Sequence, residues 1–279
     1  MRTDLSDYLS SAEAVFNLHD GGNGGYRGPV RVGVDLGTAY TVLVVLDADG
    51  QPLAGAYRFS QVVRDGLVVD FMGAVNLLKE LKTNVEERLG FSLTSAATAY
   101  PPGVPRAEVR ATGNVLVAAG LDCDVMVDEP TAANAVLGLR DGAVVDVGGG
   151  TTGVAVIQDG AVRYTADEPT GGTHFSLVIA GALDLSFEAA EVLKCDPGRH
   201  RRLFPLVRPV MEKVGSIVAR HIRNHHVETI TLVGGTACFS GIAGVVEAVT
   251  GIRTVVPAHP LYITPLGIAL HNNPENARE

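Results

Sequence analysis

An aspartate, three glycines and two threonines sit close together in Asp146-Val147-Gly148-Gly149-Gly150-Thr151-Thr152, between the apolar runs Val144-Val145 and Val154-Ala155-Val156-Ile157. Consecutive glycines let a backbone take conformations closed to residues with a Cβ, so that several N–H groups converge on one anion; the threonine hydroxyls add donors. The natural guest is a phosphate. A carboxylate repels a phosphate, so Asp146 makes sense there only with a divalent cation or a nucleophilic water between them. A glycine-rich hairpin turn with a purely structural role is the other reading of this stretch taken alone.

The pattern occurs twice. Asp35 follows the β-branched run Val30-Arg31-Val32-Gly33-Val34, and Leu36-Gly37-Thr38-Ala39-Tyr40-Thr41 leads into Val42-Leu43-Val44-Val45-Leu46. Asp49-Gly50 then answers Asp159-Gly160 about as far downstream. A structural turn has no reason to repeat its acid and its threonine, and the duplication favours a polyphosphate ligand gripped by two turns, with a metal between the carboxylates.

Elements must be found that hold these turns. Each half reads as three strands followed by strands alternating with helices, which predicts a mixed sheet covered by helices on both faces. In the first half, a strand at Pro52–Phe59 is followed by a helix over Asp70–Leu89, a strand at Ala96–Tyr100 and a helix from Pro105 to Ala119. A strand at Asp124–Val127 and a helix opening at Pro130 complete it. The second half gives hairpins to Ala166, then helices over His174–Lys194 and Pro205–Asn224. A strand at Glu228–Val233, a helix over Ser240–Val249, a strand at Arg253–Val256 and a helix from Thr264 follow. The expected division is 1–29, an amphipathic helix and Gly-rich tether; 30–138 and 139–271, the two lobes; and 272–279, a polar tail. In the first of these, Leu5, Tyr8, Leu9, Ala12, Val15 and Phe16 have helical spacing with Asp4 as N-cap. That helix either docks back on its own domain or serves a partner or shell surface as a docking peptide.

A hydrophobic content of 46% with 33 glycines and no tryptophan fits a globular α/β protein, and a formal net charge of -9 argues against nucleic acid or an anionic membrane as main partner. Cys123, Cys195 and Cys238 lack metal-ligand spacing and read as unpaired, buried thiols of a reducing cytosol. The histidines, including His221, His225 and His226, read as surface or packing residues. No apolar run approaches the ~20 residues of a membrane span.

These residues resemble the nucleotide-binding domain shared by heat-shock chaperones, actin and sugar kinases, over about Val30 to His271. Asp35-Leu36-Gly37-Thr38 and Asp146-Val147-Gly148-Gly149-Gly150-Thr151 look like the two phosphate motifs, and Leu232-Val233-Gly234-Gly235-Thr236-Ala237 like the adenosine motif. Asp128-Glu129-Pro130-Thr131-Ala132-Ala133-Asn134-Ala135 and Thr264-Pro265-Leu266-Gly267-Ile268-Ala269 are similar to the two connecting helices. Val62-Val63-Arg64-Asp65-Gly66 and Asp167-Glu168-Pro169-Thr170-Gly171-Gly172 further resemble the EutJ family, chaperone-like proteins of ethanolamine-utilisation operons.

The resemblance implies a duplicated actin-like ATPase fold of ribonuclease H-like mixed sheets, its two lobes enclosing a nucleotide cleft, with ATP or ADP and Mg²⁺ as ligands. It places Asp35 and Asp146 at a hydrated Mg²⁺. Gly37, Thr38, Gly148, Gly149, Gly150 and Thr151 go to the β and γ phosphates, Gly234 and Gly235 to the adenosine, and Glu129 to the attacking water or the metal shell. Glu212, Lys213 and Ser216 match the purine and ribose contacts less closely, and an exposed helix face explains them as well. The small residues Ala132, Ala133, Ala135, Gly267 and Ala269 would let the connecting helices cross closely as a hinge. The chaperones' catalytic lysine aligns with neither Lys79 nor Lys82, which leaves slow hydrolysis and nucleotide sensing as alternatives. The implied function is a cytoplasmic ATP-dependent chaperone or enzyme-reactivating factor, with a client such as ethanolamine ammonia-lyase and a bacterial microcompartment, through its shell proteins, as its setting. The short polar tail implies that a client binds the nucleotide domain itself. An actin-like scaffold that assembles with nucleotide is the second reading; a small-molecule kinase, with little room for a substrate pocket, is the third.

Overall fold

The computed structural model describes residues 5–16, 25–64 and 66–273. Asp4, Asp65, the first four residues of the Gly-rich tether and the last six residues of the tail lie outside them. The chain forms two compact units, one of Met1–Gly138 with Tyr262–Glu279 and the other of Leu139–Leu261.

The first unit is built on a sheet of β1 (Val30–Leu36), β2 (Tyr40–Asp47), β3 (Pro52–Phe59), β6 (Ala97–Tyr100) and β7 (Met126–Asp128) in the order β3-β2-β1-β6-β7. β1 to β3 are antiparallel, and β6 and β7 join parallel to β1. A small ribbon of β4 (Val63–Arg64) and β5 (Leu67–Val68) precedes α2 (Phe71–Leu89); α3 (Arg106–Ala118) and α4 (Glu129–Leu137) follow later. Strand alternation divides the faces. Val32, Val34, Leu36, Leu43 and Val45 point into a core closed by Val75, Leu78, Leu81 and Val85 of α2 and Val115 and Leu116 of α3. Ala97, Ala99 and Val127 face the other way, onto Ala132 of α4 and Ile268 of α9 (Ile263–His271).

α9 approaches at backbone distance. A Cβ on Gly267 would lie 1.8 Å from the carbonyl oxygen of Ala132, and one on Gly33 of β1 would lie 2.6 Å from the amide nitrogen of Ala269. The close crossing read from the small residues is present, and α9 therefore completes the first unit. Here the second unit ends at Leu261, short of the expected boundary at 271.

The N-terminal helix α1 (Leu5–Phe16) docks back on its own unit, against β3. Leu9, Ala12, Val15 and Phe16 are buried. Phe16 fills the space above Gly55 and stacks on Tyr262 at 4.4 Å between ring centroids; the Tyr8 hydroxyl donates to the Gly50 carbonyl at 2.9 Å. The Arg88 guanidinium donates to the carbonyls of Gly55 and Val15.

The second unit repeats the plan. β8 (Gly142–Val147), β9 (Thr152–Gln158), β10 (Ala161–Glu168), β11 (Thr229–Val233) and β12 (Arg253–Val255) lie in the order β10-β9-β8-β11-β12, the first three antiparallel and the last two parallel to β8. Its core gathers Val145, Val147, Val154 and Val156 with Phe175 of α5 (Gly172–Leu183), Met211 of α7 (Pro197–Ile222) and Ile242 of α8 (Ile242–Thr250).

Two readings needed correction. The helix over His174–Lys194 is two, α5 and α6 (Phe187–Cys195): Asp184 turns left-handed at φ 53° and Ser186 caps α6 by accepting from the Ala189 amide at 3.2 Å. The helix placed at Pro205 starts at Pro197 behind the N-cap Asp196, and Pro205 and Pro209 lie inside it. Proline favours a first turn, but an Asp-Pro pair eight residues earlier had already taken that place.

Candidate functional site

In the second unit β8 carries Asp146 to its C-terminal end, paired with Gly153 on one side and Val233 on the other, and leaves it 9% exposed. The chain then turns through Gly148–Thr151, closed by Gly148 N–H donating to the Thr151 carbonyl at 3.0 Å. The Gly148 carbonyl accepts from the Gly172 amide at 2.9 Å and the Thr236 hydroxyl at 2.8 Å, and the Gly149 carbonyl accepts from the Thr173 amide at 2.7 Å. The carbonyl of one residue and the N–H of the next point opposite ways across a peptide plane. Carbonyls held against the first turn of α5 therefore turn the amides of Gly149 and Gly150 away from it. Neither amide has an acceptor among the described residues, and with the half-buried Thr151 they form a row of donors suited to an anion.

Glycine is required around this turn for want of space. A Cβ on Gly171 would lie 2.7 Å from the Gly148 oxygen and 2.8 Å from the Gly149 oxygen. Gly234, at φ +87°, passes so close over Asp146 that its Cβ would fall 2.2 Å from Oδ1. Gly235 opens the short helical turn Gly235–Cys238 that carries Thr236. Of the residues anticipated from sequence in this unit, Asp146, Gly148, Gly149, Gly150, Thr151, Gly234 and Gly235 thus come together. For Glu212, Lys213 and Ser216 the recorded surroundings are local to α7: Glu212 pairs with Arg208 at 2.9 Å, Ser216 donates to the Glu212 carbonyl at 2.8 Å, and Lys213 is exposed.

In the first unit Asp35 pairs with Val42 as Asp146 does with Gly153, and Gly37 N–H donates to the Tyr40 carbonyl at 3.1 Å. Thr38 is the second residue of this turn, and the Ser60 amide donates to the Ala39 carbonyl at 2.9 Å. Asp35 is half-buried. At the start of α4 the N-cap is Asp128, whose carboxylate accepts from the amide and hydroxyl of Thr131 at 3.0 and 2.7 Å, and Glu129 opens the first turn. Lys82 is tied to Glu86 at 3.0 Å on α2.

The donors suit Mg²⁺. Among the described residues no group of three or more His, Cys, Asp or Glu could hold a metal ion, but Mg²⁺ keeps its waters and needs only one or two carboxylates beside phosphate oxygens. Asp146, beneath Gly234 and next to the row of amides, could serve as one such carboxylate.

Sequence reasoning passed over Gly171, Gly172, Thr173 and Thr236 as parts of this site. The Gly171-Gly172 pair ahead of an apolar helix was the available signal. His221 is a packing residue, between the Tyr164 hydroxyl at 2.7 Å and Glu168 at 2.6 Å, with Arg220 also on Glu168. Burial raises the Glu168 pKa, but the His221 hydrogen bond and the neighbouring charges of Arg220 and His221 bring it net below the ordinary carboxylate value. The thiols are less buried than expected: Cys195 and Cys238 are exposed and Cys123 is half-buried, its thiol pushed up to about 11 by burial and by Asp124.

Comparison with known proteins adds to this geometry. The family model of cell division protein FtsA matches residues 143–277 and that of MreB/Mbl protein residues 55–188. Ethanolamine utilization protein EutJ of Escherichia coli is 43% identical over 243 residues, which cover 86% of this chain and 85% of that protein. A chaperone protein HscA homolog of Pseudomonas paraeruginosa is 30% identical over 152 residues, 50% of this chain and 24% of its own. The crystal structure of EutJ from Carboxydothermus hydrogenoformans superposes with a TM-score of 0.90 at 48% identity, covering 96% of this chain and 98% of the other. MreB 5 of Spiroplasma citri bound to AMPPNP superposes with a TM-score of 0.72 at 17% identity over 88% and 96% of the two chains.

Proposed function

This chain belongs to the EutJ family of ethanolamine utilisation proteins and has the actin-like ATPase fold, and we propose that it is an ATP-binding, chaperone-like or enzyme-reactivating protein of that pathway. The observation that carries the reading is the turn at Gly148–Thr151, whose carbonyls are held inward so that the Gly149 and Gly150 amides are offered to a phosphate. Asp35 and Asp146 would hold a hydrated Mg²⁺, and Gly37, Thr38 and Thr151 would add donors to the phosphates. Glu129 orients the attacking water. Bound Mg²⁺ neutralises charge on the phosphate oxygens and supplies what electrophilic assistance slow hydrolysis requires.

On this reading Mg-ATP closes the cleft and ADP relaxes it, with the two chain crossings between the units, after Gly138 and before Tyr262, as the hinge. The likeness to a chaperone over half of the chain supports a client-directed role. On this reading its client is an enzyme of the pathway, such as ethanolamine ammonia-lyase, and its place is at a microcompartment shell.

Calorimetric titration of ATP and ADP with and without Mg²⁺ tests the site. The wild type should bind ATP in a Mg²⁺-dependent way, and Asp146→Asn should lose at least about tenfold in affinity, ~1.4 kcal/mol, together with the Mg²⁺ dependence. Absence of nucleotide binding to the wild type would overturn the proposal. The family models of FtsA and MreB/Mbl favour a second reading, a scaffold that assembles with nucleotide; nucleotide-dependent sedimentation would select it.

A further inference from the structure

Behind the turn at Gly148–Thr151 lies a charged pair that the phosphate contacts do not use. Lys194 of α6 is half-buried, its side chain 11% exposed, and its ammonium donates to Glu191 at 2.6 Å and to the Gly172 carbonyl at 3.3 Å. Glu191, 7% exposed, also accepts from the Ser176 hydroxyl at 2.5 Å. Gly172 is the residue whose amide holds the Gly148 carbonyl, and a Cβ there would lie 2.4 Å from the Thr236 hydroxyl and 3.1 Å from the Lys194 ammonium.

Stability does not explain the placement. A buried Lys–Glu pair is often replaced by apolar residues at no cost to the fold, and a cation near the first turn of a helix opposes the positive end of the helix dipole. At an anion site both features become useful. The pair is a dipole with its positive end toward Gly172, and in a dry interior such a field reaches further than in water.

We propose that Lys194 is the positioning residue of the phosphate turn, held by Glu191 and Ser176. Its ammonium fixes the Gly172 peptide; Gly172 and Thr173 in turn fix the carbonyls of Gly148 and Gly149, which sets the direction of the Gly149 and Gly150 amides. The same charge raises the turn's preference for the more highly charged nucleotide. This inference rests on the nucleotide reading of the site for its ligand, but the arm that sets the turn does not.

Three variants test it: Lys194→Met, Lys194→Arg, and Lys194→Met combined with Glu191→Leu, the last leaving no unpaired buried charge. In the nucleotide-free protein, amide hydrogen exchange in a peptide spanning Val147–Gly153 should quicken about tenfold in both methionine variants and return to wild type in the arginine variant. Exchange across β11 should stay unchanged. In calorimetric titrations the methionine variants should lose about tenfold in ATP affinity but less than threefold in ADP affinity, with the arginine variant restoring the ratio. Unchanged exchange in the double variant overturns the positioning role, whether or not nucleotide binds. A wild-type chain that binds no nucleotide, with exchange altered as stated, would overturn the nucleotide reading and leave the brace standing.

Discussion

The two Asp-bearing turns share a register and differ in what stands behind them. Each follows an aspartate at the end of the first strand of its sheet, and each closes with the first amide of the turn donating to the fourth carbonyl, at 3.1 Å in one and 3.0 Å in the other. Behind Gly148–Thr151 stand two amides of α5, the Thr236 hydroxyl and a buried ion pair. At Gly37–Tyr40 the Ser60 amide donates to the Ala39 carbonyl, the Ser60 hydroxyl lies 3.3 Å from that of Thr41, and the Tyr40 ring packs edge-on against Tyr57 and Phe59. Duplication conserved the backbone geometry that makes a turn able to hold a phosphate, while the bracing that fixes amide directions differs between the copies. The second turn is preorganised, so it should carry more of the binding free energy; the first can adjust when ligand arrives.

The largest break in this asymmetry comes from Gly234→Ala, whose added Cβ would meet Asp146 Oδ1 at 2.2 Å and the Val147 carbonyl at 2.7 Å. Loss of ATP affinity by more than about 100-fold, ~2.8 kcal/mol, is expected in calorimetry, with the sheet itself intact by circular dichroism. A matched pair sharpens the comparison at smaller scale. Thr236→Val removes one hydroxyl hydrogen bond from the second turn and should cost about 1 kcal/mol, near fivefold in affinity. Ser60→Ala at the first turn removes only the long contact to Thr41 and should change affinity by less than about twofold. Equal losses would mean that the two turns are braced alike in solution.

The smallest effect concerns Glu168, where β10 ends before Thr170, whose carbonyl accepts from the Thr152 hydroxyl at 2.6 Å. Its pKa in the folded chain lies below the ordinary 4.5, so the folded state favours the ionised carboxylate. That contribution is full above pH 4.5 and disappears as pH falls through the lowered folded value. Melting curves of Glu168→Gln should therefore lie below wild type at pH 7, and the gap should narrow below pH 4.5. A gap constant with pH would remove the carboxylate from the account.

Sequence patterning showed the duplicated strand plan because strand alternation, the repeated Asp and the Asp-Gly turns are local and survive without a fold around them. Asp146 and its glycines were legible for the same reason. What braces them was not, because Gly172 and Thr236 reach Gly148 from 24 and 88 positions further along the chain, and nothing local to either residue announces the contact. Read from the sequence, Lys194 is only the end of one helix over His174–Lys194, which the structure divides at Asp184 and Ser186. The prolines of α7 misled in the opposite direction, since Pro205, read as a helix start, lies inside a helix that begins at Pro197.

The contact of α9 with Ala132 and with β1 bears on how the chain is made. Residues 139–261 are contiguous and can bury their core as soon as they have left the ribosome. The first unit, though synthesised earlier, cannot close the face of Ala97, Ala99 and Val127 until Ile268 and its helix arrive more than 120 residues after Gly138. The unit whose larger part is made before the other finishes folding last, with an alanine-lined sheet face open in the meantime.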